Sequence, residues 1–507
     1  MKRDNFAGRY IVKLSSSIVL TVINAVIQLF LPRALSVEGY GFYSYNLNVF
    51  TSVVVMANLS ASNAMVSKFS RKNEERGIIK FYLEYVALIS VILNIAVFVL
   101  GKIQGSEGLF QGQTIYLVLL GLNAAVFNKL LTDVISMYDA AAISRFPAVI
   151  QILLKSAICV LVCAGYFLGT LDLQLFYVVQ ISITAVSIFI LCKVFWRDHK
   201  KTYPTSTSKS VKEYISSFWV FCKPLILVSC FAQLNVIIMN WALMNYAGER
   251  QQAMFGVALQ INILLSYVFS PYAELLKREF AVIAHDIEQV KFKFIQSLRQ
   301  MFWITSYFAV FIIICADWLI PLLFGEEYRG AVLPTQLMMV YTIYQAWGQV
   351  TGSFLLSTEK TKSYAALTYI GIALTLAFIF LFQVPNFIFP NGLGAEGVAL
   401  NYTLCNLIAT TIMVSFCMKS LSQKLFTGWK IQFGALAECL LVAAAAKALV
   451  ALLCGTVPAL NILFVKVMLS GIIYTAGILA IVFKFPEQMG ISKETLKNKL
   501  RKVFHRE

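Results

Sequence analysis

A chain of 507 residues that is 59% hydrophobic, 14% aromatic and only 13% charged is too apolar for an ordinary soluble domain. Its formal net charge of +17 would suggest nucleic acid in a soluble protein, but the basic residues sit in short polar gaps between long apolar runs. That pattern is membrane topology and excludes nucleic-acid binding, so composition predicts an all-α polytopic membrane protein.

Crossing ~30 Å of hydrocarbon takes roughly 20 apolar residues per helix. Runs of that kind predict fourteen spans, at 11–31, 41–66, 82–103, 114–137, 147–169, 174–195, 217–243, 253–275, 301–324, 332–357, 364–384, 395–418, 434–455 and 461–484. The first run is longer than a signal-peptide core and a second span follows it at once, so it reads as a true span. An even number puts both termini on one side. The outer loops then carry Arg33, Lys102, Arg250 and Arg329, while most of the 42 basic residues fall on the side of the termini. The positive-inside rule makes that side cytoplasmic.

In chain order, span 1 carries Ser17, Thr21, Asn24 and Gln28 on one helix face. The stretch from Leu31 to Ser44 reads as a tight re-entry at a membrane face, with Pro32 stopping one helix, Gly39 and Gly41 turning the chain, and Arg33 supplying a charge. Span 4 holds Lys129 and, one turn on, Asp133, which can neutralise it. Span 5 holds Lys155 with no acidic residue nearby in sequence, the strongest single candidate for an anion-binding cation. The segment 196–216, with Pro204, reads as a cytoplasmic linker between two halves.

Span 7 repeats the polar stripe with Lys223, Cys230, Gln233 and Asn240, and span 8 with Gln260, Tyr267 and Glu274. Such stripes avoid lipid and either bond to neighbouring helices or line a hydrated cavity. A long cytoplasmic segment is expected over 274–300. Asp317 falls near the outer end of span 9, and Glu438, Lys447 and Lys466 lie in the last two spans, with Glu438 and Lys447 on opposite faces of one helix. Trp196, Trp219, Trp303 and Trp429 fall near the inner interface and Trp241 and Trp318 near the outer one, as aromatic anchors.

Weak internal similarities suggest parallel repeats related by an axis along the membrane normal. Ala34-Leu35 with Gly41-Phe42 is echoed by Ala242-Leu243 with Phe255-Gly256, and Tyr138-Asp139-Ala140 by Ser357-Thr358-Glu359. The expected organisation is an N-lobe of six spans (1–195), the linker (196–216), a C-lobe of six spans (217–418), and an appended helix pair with a basic cytoplasmic tail (419–507). The ten cysteines lie in or beside spans and lack the spacing of a disulfide or zinc framework. No phosphate-binding loop or His-Glu-x-x-His motif occurs, and His199, His285 and His505 fall in cytoplasmic segments. The expected activity is transport rather than catalysis, with no bound cofactor.

The stretch Leu31-Pro32-Arg33-Ala34-Leu35-Ser36-Val37-Glu38-Gly39-Tyr40-Gly41-Phe42-Tyr43-Ser44, the segment from Pro321 to Ala331 and the segment from Gly392 to Ala399 resemble bacterial polysaccharide flippases of the Wzx type. These belong to the multidrug, oligosaccharidyl-lipid and polysaccharide exporter superfamily. The resemblance implies two six-helix lobes around a central cavity, alternating access, and movement of an undecaprenyl-pyrophosphate-linked oligosaccharide to the outer leaflet of the bacterial cytoplasmic membrane. It also implies proton or sodium coupling, contact with membrane lipids and with other polysaccharide-assembly proteins, and, for spans 13 and 14, the lipid-tail groove of the related lipid II flippases. On this reading Arg33, Lys129, Lys155 and Lys223 are the substrate-binding cations. Asp133 and Glu274 are the candidates for ion coupling, and Asn24, Gln28, Gln233, Asn240 and Gln260 line the cavity. A multidrug or metabolite exporter of the same fold is the alternative, ahead of a membrane polymerase.

Overall fold

The computed structural model describes residues 6–71, 75–104, 110, 112–141, 143, 145–202, 209–283, 286–358, 360–423, 425–456 and 462–486. Some helical side chains, that of Glu274 among them, lie outside the described ones, as do His285, His505 and the basic tail beyond 486. Among the described residues the chain is all helical. The α-helices are α1 (Phe6–Ala34), α2 (Val37–Ala57), α3 (Ala61–Arg71), α4 (Arg76–Gln104), α5 (Ile115–Ala140), α6 (Arg145–Leu168), α7 (Leu173–Thr202) and α8 (Val211–Ile283). They continue with α9 (Ile287–Phe324), α10 (Val332–Ser357), α11 (Thr361–Phe382), α12 (Gly394–Ser420), α13 (Leu425–Thr456) and α14 (Leu463–Lys484), with a 3-10 helix at Glu326–Ala331.

Among the described residues, ten of these helices are long and apolar enough to cross a membrane, or eleven if α2 and α3, bent by 56° at their junction, make one span. The predicted intervals 217–243, 253–275 and 332–357 are helical too. Helices and predicted spans do not correspond one to one. The second predicted span is divided between α2 and α3, and the seventh and eighth both fall in α8, which breaks at Gly248 (φ 80°, ψ 179°).

Two details differ from the sequence expectation. Pro32 does not stop α1 at once but lies inside its last turn, and the helix runs only two residues further, to Ala34. The turn falls instead at Leu35-Ser36, and Ser36 caps α2 by accepting from the Gly39 N–H at 3.0 Å. Gly39 and Gly41 therefore sit within α2, and Gly41 is required for a different reason: a Cβ there would lie 2.1 Å from the Glu249 carbonyl oxygen. The long connection expected over 274–300 is not contradicted: it is carried by the ends of α8 and α9, and Asp286 starts α9 by accepting from the Glu288 and Gln289 N–H groups, both at 3.1 Å.

By contact, one compact unit comprises Met1–Gly256 with Val384–Asn386 and Pro390–Gly394. Its first stretch of α8 is held by Tyr214, whose phenol donates to buried Glu75 at 2.8 Å, and by the Lys68 ammonium on Ser217 Oγ at 2.5 Å. The unit therefore extends beyond the 196–216 linker. At its centre α5 touches α2, α3, α4 and α7, while α1 lies along α6. Phe50, Val54, Val97, Val118, Leu122 and Val126 form a core there. Lipid is as apolar as these side chains, so close packing and interhelical hydrogen bonds hold such helices together. The opposite face of α4, through Leu88, Val91, Ile92, Ile95 and Phe98, is exposed at helical spacing, as a lipid-facing surface requires.

The other unit comprises Val257–Gln383, Phe387–Phe389 and Ala395–Glu507. Here α9 packs on α10, and α13 and α14 pack on each other and on α9. Tyr307 and Tyr474 stack at 5.2 Å, and Tyr307 also hydrogen-bonds Thr475 at 2.7 Å. Thus the final helix pair is joined to α9 by polar as well as apolar contacts.

Candidate functional site

The first unit buries a carboxylate, Asp133 on α5, whose side chain is only 3% exposed. Burying a carboxylate is costly unless its oxygens find donors, and both do. Oδ1 takes the Lys129 ammonium one turn earlier, and Oδ2 takes the Tyr82 phenol from α4 at 2.5 Å. Tyr82 in turn accepts from Asn58 Nδ2 at 3.0 Å. Asn58 caps α2 at the bend, and the next two residues, Leu59 and Ser60, adopt left-handed backbone angles (φ 50° and 62°). Asn58 Oδ1 accepts from the Ser62 N–H at 3.1 Å, at the start of α3. The chain Lys129–Asp133–Tyr82–Asn58 thus links α5 and α4 to the bend between α2 and α3.

The other cations are arranged differently. Lys155 is half-buried on α6, and no acidic or hydrogen-bonding partner meets its ammonium among the described residues. Arg33 is half-buried in the last turn of α1, and Lys223 is exposed on α8. Lys129 is brought together with Asp133, whereas no described contact joins it to Lys155 or Lys223.

Of the polar stripes, Asn24 and Gln28 are half-buried on α1, with Gln28 Oε1 enclosed and unbonded among the described residues. Gln233 is half-buried on α8. Asn240 is fully buried and committed to neighbours: its Oδ1 accepts from Asn48 at 3.2 Å and from Gln252 at 2.9 Å. The Gly248 break makes the second bond possible by folding α8 back on itself. In the second unit Gln260 is buried with an unbonded Oε1 among the described residues. Nearby in sequence, Asn262 donates to Thr342 at 2.7 Å and to Gln345 at 3.3 Å, joining α8 to α10.

Sequence reasoning missed Tyr82, Asn58, Asn46, Gln113 and Asn262. Asn46 and Gln113 form a buried bond of 2.8 Å beside Gly121, where a Cβ would lie 3.1 Å from Asn46. The one available signal was Asn58-Leu59-Ser60, a polar interruption inside the second apolar run. Lys447, for which sequence offers no partner, reaches Asp317 at 2.7 Å, and it and Lys466 flank the Trp318 ring at 5.0 and 5.8 Å.

No family model matches the sequence, and no curated protein matches it either. Solved structures do. The chain is similar to the lipid II flippase MurJ in an inward closed conformation, with a TM-score of 0.68 at 12% identity, over 94% of this chain and 98% of that one. An inward-facing multidrug-resistance transporter of the MATE family, in the MOP superfamily, gives 0.64 at 14% identity over 81% of this chain and 98% of its own. An outward-facing MATE transporter gives 0.52 at 13%, over 83% and 97%. The chain has the fold of these membrane transporters. The match to MurJ covers too much of the chain for the helix pair at 425–484 to lie wholly outside it.

Proposed function

We propose that this chain is a flippase that moves undecaprenyl-pyrophosphate-linked oligosaccharide units from the inner to the outer leaflet of the bacterial cytoplasmic membrane by alternating access of two lobes. The observation that carries the reading is the likeness to a lipid flippase over 94% of the chain. The physical need is clear. A pyrophosphate cannot cross hydrocarbon without replacement solvation, and an ammonium with no fixed counter-ion at membrane depth can supply it. Lys155 is such a group, and a lysine, as a mobile point charge, suits a ligand that must leave again.

In this reading Arg33 and Lys223 are further cationic contacts. Asp133 couples transport to protons rather than sodium, because both its oxygens already carry donors and a metal cation would need free oxygen ligands. Lys129 then serves as its counter-ion. Glu274 remains a second coupling candidate. Undecaprenyl-linked glycan from O-antigen, capsule or exopolysaccharide assembly is the expected cargo, delivered and removed by the enzymes of that assembly. Multidrug export is the second reading, favoured by the likeness to MATE transporters.

The test is the sidedness of lipid-linked glycan in cells with and without the chain, read with a label restricted to outer-leaflet sugars. Label that appears only with the chain supports flipping. Unchanged label together with export of a cationic dye overturns it in favour of the drug exporter.

A further inference from the structure

Three hydrogen-bond donors stand unused along one face of α9. Arg299, Trp303 and Ser306 lie at i, i+4 and i+7, so they share a stripe roughly 10 Å long at 1.5 Å per residue. Trp303 is 2% exposed and Ser306 is fully buried. Sequence places Trp303 among the interfacial anchors, but an indole so enclosed does not reach the lipid surface. Among the described residues Arg299 Nε, Trp303 Nε1 and Ser306 Oγ are each enclosed with no hydrogen-bond partner. The adjoining hydroxyl behaves differently: Thr305 donates back to the Met301 carbonyl at 2.7 Å. A native fold rarely buries a donor without an acceptor, and three on one stripe call for a guest that supplies acceptors.

The stripe faces α13. It continues through Val310 to Ile314, whose carbonyl accepts from Lys447 on α13 at 2.8 Å. Contacts with α10 leave from another face, through Leu298 and Phe302, which meet Trp347 at 3.0 and 5.4 Å. Cys439 lies beside Tyr474, the stacking partner of Tyr307, and Lys447 reaches Asp317, so α9 and α13 run in the same direction. That register sets buried Ala435 opposite the stretch from Trp303 to Ser306. There α13 brings a methyl to the seam and no acceptor. Glu438 does not supply one, because it shares the face of Val442, which packs toward Gly477 on α14. The described carboxylates near the start of α9 are committed elsewhere, Glu288 to Lys291 at 3.2 Å and Glu279 to Lys293 at 2.5 Å.

Three donors, one of them a permanent cation, select an anion with several oxygens. The planar arginine fork matches phosphate oxygens, and the indole N–H and the hydroxyl each add a single donor. We propose that Arg299, Trp303 and Ser306 form an oxyanion site that takes a phosphate group, entering at the Arg299 end, where the side chain is half-buried rather than enclosed. A phospholipid headgroup and free inorganic phosphate share this chemistry. The site belongs to the second unit, whereas Arg33, Lys155 and Lys223 belong to the first. Its existence is independent of the flippase reading.

The test uses the purified full-length protein in phosphate-free detergent solution. The probes are phosphatidic acid, diacylglycerol and inorganic phosphate, read by thermal midpoint and native mass spectrometry. A rise in midpoint with phosphatidic acid but not with inorganic phosphate assigns the site to a lipid headgroup, and a rise with inorganic phosphate alone assigns it to the free anion. A rise with neither, or an equal rise with diacylglycerol, overturns the proposal. Ser306→Ala and Trp303→Phe should each weaken binding about ten-fold, the worth of a hydrogen bond to a charged group, and Arg299→Gln should weaken it further. Lys291→Gln, which removes a nearby surface charge, should leave binding unchanged; a loss equal to that in Arg299→Gln would reduce the effect to general surface charge and sink the site. Ser306→Ala also supplies a check without ligand, since it deletes only a hydroxyl. Its midpoint should hold or rise when an unsatisfied donor is removed. A marked fall would show that the hydroxyl is already bonded, to ordered water or within the fold, and would overturn the proposal.

Discussion

Tyr82 on α4 donates its phenol to Asp133 on α5 at 2.5 Å and accepts from Asn58 at 3.0 Å, so a single hydroxyl ties two helices to the break in a third. The geometry makes Asp133 the point where a change of charge would be felt at the bend between α2 and α3. If Asp133 gained a proton, Lys129 would lose its counter-ion and Tyr82 would face a neutral acceptor.

Asp133→Asn keeps the shape but strands the Lys129 ammonium, which is 18% exposed. Breaking a buried pair from one side costs about 3–5 kcal/mol, whereas removing both charges together costs far less. The thermal midpoint in detergent should therefore fall steeply for Asp133→Asn and recover in Lys129→Met/Asp133→Asn. Transport in the double variant should stay lost. Equal midpoints for single and double variants would show that the two groups are not coupled.

Tyr82→Phe leaves the ring in place and removes the bonds to Asp133 and Asn58. Each such bond contributes about 0.5–1.5 kcal/mol, and more to a charged partner. A moderate drop in thermal midpoint is expected, with a change in the pH dependence of transport that Tyr85→Phe does not reproduce. An unaltered pH profile would remove Tyr82 from the coupling network.

Gly41→Ala places a methyl 2.1 Å from the Glu249 carbonyl oxygen, a backbone atom that cannot step aside. Gly121→Ala meets only the Asn46 side chain at 3.1 Å, and Gly348→Ala only Thr410 Oγ1 at 3.4 Å. Yield of folded protein on size-exclusion chromatography should therefore collapse for Gly41→Ala, fall partly for Gly121→Ala and hold for Gly348→Ala. Normal yield of Gly41→Ala would contradict the close approach of α2 to the Gly248 break.

Much of the fold was legible because a long apolar run records a membrane helix: among the described residues ten helices, or eleven with the bent pair, are long and apolar enough to cross a membrane. What was not legible depended on tertiary contact. Pro32 and Gly41 read as turn residues from local rules, yet the turn is made by Leu35 and Ser36, and Gly41 is demanded by a carbonyl two hundred residues away in sequence. The site was half readable. Lys129 and Asp133 share a helix face, so their pairing follows from spacing alone. Tyr82 and Asn58 join them only because α4 and the α2–α3 bend pack on α5. Lys447 could not be placed because its partner, Asp317, lies on another helix.

Lys155 has no described partner, so the loss of its charge should separate stability from transport. Lys155→Met fills a similar volume and removes a poorly solvated ammonium, a change that is neutral or stabilising in an apolar setting. The thermal midpoint should hold or rise, while outer-leaflet glycan labelling falls to the level of cells lacking the chain. Lys155→Arg should restore part of it. Export by Lys155→Met at the unaltered rate would remove this residue from the site.

Lys447 and Asp317 supply a contrast, because their side chains are 28% and 48% exposed. A pair so accessible contributes about 0–1 kcal/mol, and less as salt rises. The attachment of α13 and α14 to α9 should then rest mainly on the Tyr307, Tyr474 and Thr475 contacts and the packing around them. Asp317→Asn should shift the thermal midpoint only slightly, and still less in high salt. Tyr474→Ala, which empties a site only 1% exposed, should destabilise by about 3–5 kcal/mol and make the segment after Ser420 the first released by limited proteolysis. If Asp317→Asn released that segment as readily as Tyr474→Ala, the ion pair would be the principal clasp and this ordering of contacts would be reversed.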